Sequence, residues 1–190
     1  RIETTNGTTQ DLELDVNKLH SLPSEQQDLY LLNFVSDLLH HVEGFDSESL
    51  PSHQAAVKRE LLKIAGLASP APSRVIRNNL GYIFADIFRR GSRNLLYETI
   101  NDLVGLVTSG KGEKELKIKH AAVVCIGQIF KAAGSSAASL ANLACSSLIR
   151  LIKQAQTHAG LRGSIFRALS LIIEGVGHSV DEQIARDVLK

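Results

Sequence analysis

KELKIKHAAVVCIGQIFKAAG, the sequence of residues 114–134, has the apolar spacing of an α-helix. Five of its apolar residues recur at intervals of three and four positions: Ile118, Ala122, Ile126, Ile129 and Phe130. Val123, Val124 and Cys125 widen the apolar face to most of the helix circumference. Because a helix that is apolar nearly all round must be covered on several sides, this one is expected to lie between other helices, and Gly134 to end it as a left-handed C-cap.

The same apolar pattern occurs twice more in the chain. A backward shift of 42 residues aligns Ile126 with Phe84, and a forward shift of 43 residues aligns it with Leu169. A second apolar motif that begins at Leu103 recurs 45 residues later at Leu148. A helix pair that repeats every 40 to 47 residues or so is typical of HEAT and armadillo arrays. The sequence therefore predicts an all-α protein, an α-solenoid of about four HEAT-like antiparallel helix pairs of which the last is incomplete.

The sequence divides into a polar lead segment and a helical array. Residues 1–11 are polar without an apolar period, which indicates a lead segment that is disordered or extraneous to the natural protein. Residues 12–190 are interpreted as the HEAT-like array, and as the N-terminal fragment of a longer array because the chain starts at Arg1 and contains no Met. A short helix is predicted soon after residue 12, followed by helices over residues 23–43, 51–66, 72–90, 94–108, 114–133, 137–157, 161–176 and 181–190.

Composition limits the class of protein. Hydrophobic residues make up 44% of the 190 positions and charged residues 22%, which is enough apolar material for a sizeable core. No run of about 18 apolar residues occurs, so no membrane-spanning helix is expected. Cys125 and Cys145 fall in apolar helical stretches, which favours buried, reduced thiols over a disulfide.

Charge is distributed unevenly, although the net charge is only +1. Residues 1–57 contain 2 Lys or Arg and 10 Asp or Glu, a balance of −8, whereas residues 58–190 contain 19 and 10, a balance of +9. An acidic start followed by a basic body indicates either an interaction segment or a solvated surface.

Two motifs resemble ligand sites only in part. GLVTSGK, residues 105–111, has the glycine and lysine spacing of a phosphate-binding loop, but Gly112 stands where that loop needs a Ser or Thr for magnesium, and no strand precedes it. His40 and His41 are adjacent, so on a helix they point about 100° apart, and His53 completes no recognisable set of metal ligands. We therefore expect neither a nucleotide nor a metal cofactor.

No catalytic constellation is apparent either. Ser135, Ser136 and Ser139 lack a His and an acid at a recognisable spacing, and GSS is not a nucleophile elbow. These serines are expected to cap the following helix instead. The sequence predicts a protein that is not an enzyme.

Basic residues offer two candidate surfaces for an acidic protein partner. In helical arrays the second helices of successive pairs line the concave face, so their polar sides form one continuous strip. The strip predicted here, which we call the concave strip, consists of Lys58, Lys63, Asn101, Gly105, Arg150 and Lys153. The alternative, which we call the basic ridge, consists of Arg74, Arg77, Arg89, Arg90 and Arg93, with Lys111, Lys114, Lys117 and Lys119 on the equivalent edge of the next pair.

The basic ridge has several interpretations. The favoured interpretation is a solvated surface, the second is a docking site for an acidic protein, and the third is a site for nucleic acid or anionic lipid. The nearby aromatic residues Tyr82, Phe84 and Phe88 are expected largely on packed faces, which leaves no aromatic side chain to stack on bases. We therefore expect protein partners and no nucleic acid.

Three segments resemble a known family in their order and spacing: PAPSRVIRNNLGYIFADIFRRG, KIKHAAVVCIGQIFKAAG and RGSIFRALSLIIEGVG, residues 70–91, 117–134 and 162–177. They resemble the beginning of the large HEAT-repeat accessory proteins of the clathrin adaptor complex of the trans-Golgi network and endosomes. In that family a Pro-rich break precedes a basic helix with an asparagine-leucine centre, here Asn79 and Leu80. A later helix has the pattern K-x-A-A-V-x-C-x-G, here from Lys119 to Gly127. The resemblance covers about residues 12–190.

The resemblance implies a non-enzymatic scaffold in vesicle traffic between the trans-Golgi network and endosomes. Its partners would be the clathrin adaptor complex and small accessory subunits, and it would be cytoplasmic and peripheral on the trans-Golgi network, endosomes or clathrin-coated vesicles, held there only through partners. The matched motifs are packing motifs, so the resemblance transfers no binding residue. Two alternatives remain: a regulatory scaffold of a kinase or phosphatase, and a nucleic-acid or nuclear-transport HEAT array that uses the basic ridge. The sequence does not indicate the oligomeric state.

Overall fold

The computed structural model describes residues 12–110 and 112–188 of the chain, without the side chains of residues 113, 114 and 188. The predicted lead segment, residues 1–11, lies outside this described part. The described residues are helical and contain no β-strand. The α-helices are α1 (Val16–Ser21), α2 (Ser24–Glu43), α3 (Leu50–Ala65), α4 (Arg74–Arg90), α5 (Leu96–Thr108), α6 (Glu113–Ala133), α7 (Ala141–Gln154), α8 (Ala159–Val176) and α9 (Glu182–Val188).

One predicted helix differs from the observed structure. The segment predicted as a single helix over residues 137–157 begins as a 3-10 helix, Gly134–Leu140, and becomes α-helical only at Ala141. Gly134 has φ 53°, a left-handed conformation that ends α6 as predicted and redirects the chain. The expectation that the three serines cap this helix is wrong, because Leu140 occupies the N-cap position of α7 and no side chain caps it.

The helices pack in two rows. Helices α2, α4, α6 and α8 contact one another in succession, and α3, α5, α7 and α9 form a second succession. The rows contact each other through the pairs α3 with α4, α5 with α6, and α7 with α8. One continuous apolar core runs through the described residues from Leu14 to Val176. This all-helical arrangement is compatible with an α-solenoid or with a helical bundle.

Helix α6 lies between α4 and α8. Seven of its side chains have no exposed surface: Ala121, Ala122, Val123, Cys125, Ile126, Ile129 and Phe130. Gly127 permits the close approach of α8, because a Cβ atom added there would lie 2.9 Å from the Cα atom of Ala168. The prediction that this helix is covered on several sides is confirmed.

Two aligned positions depart from the packing that the repeat predicts. Ile173 aligns with the fully buried Phe130 but is 36% exposed, and Tyr82 is 49% exposed although it was expected largely on a packed face. Phe84 and Phe88 are fully buried, as expected. The exposed face of Ile173 belongs to α8, which has α6 on one side and no helix of the same row on the other within the described residues.

One helical stretch passes a length and composition test for a membrane span, contrary to the expectation from the sequence. This stretch, Glu115–Gln154, has an 18-residue window with a mean hydropathy of 1.3, and 56% of that window is buried inside the protein. The buried core helix of a water-exposed fold passes the same test, so the stretch is weak evidence for a membrane span.

Both cysteines are free and buried, which agrees with the sequence prediction. Burial raises the pKa of the Cys145 thiol to about 11 and that of the Cys125 thiol further still. The thiolate is the reactive form of cysteine, so both side chains are packing groups at neutral pH.

Replacement of Cys125 by Asp tests the burial of α6. We expect the variant to lose its fold or aggregate, because an unpaired buried charge costs several kcal/mol against a total stability of roughly 5–15 kcal/mol. Circular dichroism and thermal melting measure the effect, with Lys117→Asp on the exposed side of the same helix as the matched control. A soluble Cys125→Asp protein that melts like the parent would contradict the packing.

Candidate functional site

The C-terminal half of the basic ridge is part of the packed structure. Asp86 is buried and accepts hydrogen bonds from Arg89 at 2.8 Å and from Arg90 at 2.9 Å. Arg90 also donates to the backbone carbonyls of Phe45 at 2.7 Å and Val42 at 2.9 Å. Arg90 therefore connects α4 to the C-terminal end of α2 and to the turn that follows it.

Charge and burial compete at Asp86. Burial acts to raise the pKa of this carboxyl, but hydrogen bonds from Arg90 and Arg89 outweigh burial and hold the pKa below its usual value. Arg93, which follows α4, donates a hydrogen bond to the hydroxyl of Ser136 in the 3-10 helix that follows α6. The ridge residues are thus divided between the two ends of α4, with the half-buried Arg90 at one end and Arg74 and Arg77 at the other, and binding by the ridge stays a prediction.

Arg90→Ala tests this structural role. The variant should lose about 1–3 kcal/mol of unfolding free energy, because two carbonyls and the buried Asp86 carboxylate lose the hydrogen bonds that Arg90 donates. Chemical denaturation measures the change. Arg89→Ala is the matched control, since Arg89 is 58% exposed and pairs with the same carboxylate; it should cost less than about 1 kcal/mol. Equal losses in the two variants would argue against the connecting role of Arg90.

The lysines predicted on the second edge of the ridge also differ in their exposure. Lys111 lies outside the described residues, as does the side chain of Lys114, and Lys117 is exposed. Lys119 is fully buried and donates to the Gly110 carbonyl at 3.0 Å and to the Gln154 side chain at 3.3 Å. Burial lowers the pKa of Lys119. Its ammonium lies between the ends of α5 and α7 and hydrogen-bonds to both, so Lys119 is part of the packed structure.

The concave strip is only partly available to a partner. Lys58 is 7% exposed and forms ion pairs with Glu98 at 2.7 Å and Asp102 at 3.1 Å, which connect α3 to α5. Lys63 pairs with the buried Glu60 at 2.9 Å and with Glu13 at 3.7 Å. Both lysines therefore already pair with acids of this chain, and their contact with the carboxylates of a partner stays a prediction.

The remaining positions of the strip are more open. The Asn101 side chain donates to the Tyr97 carbonyl at 2.8 Å. A Cβ atom added at Gly105 would have no neighbour within 4 Å, so the backbone of α5 is accessible there. Arg150 and Lys153 are exposed and form no ion pair with a described residue. Binding by the strip stays a prediction, and these two residues are its open cations.

A groove of about 420 Å³ lies over α6, with α4 and α8 as its walls. It is lined by Val124, Gly127 and Gln128 of α6 and by Ala168 and Leu171 of α8. Its other polar lining residues are Arg74, Arg77, Asn78, His120, Ser164 and Arg167. No acidic side chain of the described residues lines it. We call this site the α6 groove.

Two helix N-termini meet at the α6 groove. Arg74 and Arg77 lie in the first turn of α4, and Gly160 and Gly163 lie in the first turns of α8. Neither helix has an acidic residue in its first turn or a side chain that caps it. The N-terminus of a helix carries a positive partial charge and free backbone N–H groups. The helix dipoles therefore add to the positive charge of the arginines.

His120 of α6 also lines the groove. Its Nε2 atom lies 2.7 Å from the Ser164 hydroxyl in a hydrogen bond that joins α6 to α8. Burial, together with the charge of Arg77, lowers the pKa of His120 to about 4. His120 is therefore a neutral hydrogen-bonding group at pH 7.

Only part of this groove was predicted from the sequence. Arg74 and Arg77 were among the predicted residues, whereas Arg167, His120 and Ser164 were not. A signal was present, because the same shifts of 42 and 43 residues that align the apolar positions also align Asn78, His120 and Gly163, which all line the groove.

The two partial ligand motifs form no site in the described residues. Gly105 lies inside α5 and Gly110 in the turn that follows, while Lys111 is outside the described part. Phe45 stacks on His53 with ring centroids 4.3 Å apart and contacts His41 edge to face at 4.7 Å. No cluster of three His, Cys, Asp or Glu side chains suited to a metal occurs within residues 12–110 and 112–188.

No protein-family model matches the chain, and no solved structure matches it significantly.

The low pKa of His120 predicts a pH dependence of stability. Because its folded-state pKa is about 4 against 6.5 for the free group, the unfolded chain binds the proton better, and this group's contribution to stability is lost as the pH falls from about 6.5 towards 4. His120→Gln, which keeps a hydrogen-bonding side chain, should lose less stability than the parent between pH 7 and pH 4.5 in urea unfolding. The exposed His178→Gln variant is the control. An NMR titration midpoint near 6.5 for the His120 ring would contradict this prediction.

Proposed function

We propose that the protein is a non-enzymatic scaffold, an α-solenoid of HEAT-like helix pairs that binds partner proteins along its surface. The α6 groove is the observation that carries this proposal. It is built by α4, α6 and α8, which are three successive helices of one row, so no single helix pair could form it. Surfaces that arise from the stacking of neighbouring repeats are the binding sites that solenoids typically use.

The positive charge of the groove favours a partner with a negatively charged surface. Arg74 and Arg167 form no hydrogen bond or ion pair with any described residue, so their guanidinium groups are open to a ligand. Arg150 and Lys153 on α7 are a second and smaller cationic surface, on the other row of helices. We assign the main contact to the α6 groove because three helices surround it, whereas the two cations of α7 lie on one exposed helix face.

The cellular setting of this proposal rests on the sequence resemblance alone. It points to vesicle traffic between the trans-Golgi network and endosomes, with the clathrin adaptor complex and small accessory subunits as partners and with peripheral membrane association through them. The alternatives are a kinase or phosphatase scaffold and a nucleic-acid or nuclear-transport array that uses the basic ridge. Each predicts a different set of captured proteins or nucleic acids, so identification of the partners separates them.

Charge reversal in two matched sets tests the proposal. Arg74→Glu, Arg77→Glu and Arg167→Glu together should reduce the capture of clathrin adaptor subunits from cell extract by roughly tenfold or more, since each exposed ion pair contributes about 0.2–1 kcal/mol and reversal adds repulsion. The control is the double variant Arg150→Glu and Lys153→Glu, which should capture partners like the parent.

Circular dichroism establishes that both variants keep their helicity, and quantitative mass spectrometry measures the captured proteins. If only the control variant loses partners, the contact lies on α7 rather than in the groove. If the parent captures kinase, phosphatase or nuclear-transport proteins and no adaptor subunit, the proposed setting in vesicle traffic is wrong.

A further inference from the structure

The α6 groove gathers more positive charge than the described residues around it neutralise. Arg74 and Arg77 come from α4 and Arg167 from α8, and no carboxylate among the described residues lines the groove. Arg77 donates one N–H group to the Pro72 carbonyl at 2.8 Å, which leaves its other donors open. The three guanidinium groups therefore offer many N–H donors to a single groove.

Electrostatics disfavours this arrangement unless an anion binds. Arg74 and Arg77 lie in the first turn of α4, where the helix dipole repels positive charge. Burial and the neighbouring charge of Arg74 both lower the pKa of Arg77, which is the signature of a cation in unfavourable surroundings. The first turn of α8, which contains the small residue Gly160, adds free backbone N–H groups at a second helix N-terminus. A multiply charged anion in the groove would offset the repulsion between these positive charges and accept hydrogen bonds from the backbone N–H groups.

The number of arginine donors that line the groove favours a phosphate group over a carboxylate. A carboxylate is satisfied by one guanidinium in a bidentate pair, whereas a phosphate monoester has a charge of about −1.5 to −2 and three acceptor oxygens. Three arginines from two helices match the second case. The His120 imidazole is neutral at pH 7, and its hydrogen bond to Ser164 fixes one wall of the groove without adding charge of either sign.

The rest of the groove fits a peptide. Its lining residues come from α4, α6 and α8, so a partner segment in it would contact side chains of three helices. Asn78 and Gln128 place side-chain amides in the groove, and an amide can donate to a peptide carbonyl and accept from a peptide N–H. A lipid headgroup has no such backbone groups, so these amides favour a protein ligand.

We propose that the α6 groove binds a partner segment that contains a phosphorylated serine or threonine, with the phosphate between Arg74, Arg77 and Arg167. The flanking peptide backbone contacts the amides of Asn78 and Gln128. This inference rests on the proposed scaffold function, and it names the chemical class of segment that the scaffold recognises.

Direct binding to defined probes tests the inference. Three fluorescein-labelled peptide pools, each with randomised residues around one fixed position, carry phosphoserine, serine or glutamate at that position. We expect the 190-residue protein to bind the phosphoserine pool at least about tenfold more tightly than either of the other pools in fluorescence anisotropy. Vesicles of phosphatidylcholine with phosphatidylinositol 4-phosphate are a fourth probe, and we expect them to bind less tightly than the phosphoserine pool.

Variants locate the site. Arg74→Gln, Arg77→Gln and Arg167→Gln together should abolish the preference for phosphoserine, whereas Arg150→Gln with Lys153→Gln should keep it. The single variants Arg74→Gln and Arg167→Gln alter exposed side chains, so they provide the same test if the triple variant is unstable. A phosphoserine preference that survives in the triple variant and in both single variants would overturn the assignment to this groove.

The remaining outcomes separate this inference from the scaffold function. Equal binding of the glutamate and phosphoserine pools would overturn the role of phosphate, and binding of the vesicles alone would overturn the peptide. Capture of partners from extract that needs the groove arginines but persists after phosphatase treatment of the extract would retain the scaffold function and refute the phosphate. Tight phosphoserine binding without any groove-dependent partner in extract would support the ligand chemistry and refute the scaffold.

Discussion

The burial of α6 on nearly all sides is the constraint on which the rest of the structure depends. Full burial of each large apolar side chain, such as Ile126, Ile129 and Phe130, contributes about 1.5–3 kcal/mol, and none of it is available to an isolated helix. Helices α4 and α8 therefore have to cover α6 together. The close contact at Gly127 sets how near α8 can lie. Since the two covering helices cannot meet above α6, a groove between them follows from the packing.

Polar side chains join successive helix pairs at their ends, where apolar burial is thin. Arg90 binds the C-terminal carbonyls of α2, Lys58 pairs with two acids of α5, and Lys119 reaches the ends of α5 and α7. Gln54 makes a similar connection by donating to the carbonyls of Ile87 and Ser92. Buried polar groups persist only when they are hydrogen-bonded or paired. These residues are therefore part of the packing, and the cations among them are unavailable to a partner.

Most of the helices could be predicted from the sequence because apolar periodicity reports directly which face of a helix is covered. The predicted bounds of α2 to α6 lie within two residues of the observed ones. Periodicity failed at residues 134–140, where small residues support either an α-helix or a 3-10 helix. The availability of basic side chains was harder to predict, because it depends on partners far away in sequence, such as Glu98 for Lys58. The groove escaped notice for the same reason, since His120 and Arg167 meet only after three helices have packed.

The contacts that residues 12–57 make with Lys63 and Arg90 lie away from the α6 groove. Glu13 lies 3.7 Å from Lys63 of α3, and the backbone carbonyls of Val42 and Phe45 accept hydrogen bonds from Arg90 at the C-terminal end of α4. The groove lies at the N-terminal ends of α4 and α8, and no described carboxylate lines it. The described residues supply no carboxylate to neutralise the groove, and this is the observation on which the proposed binding of a partner segment rests.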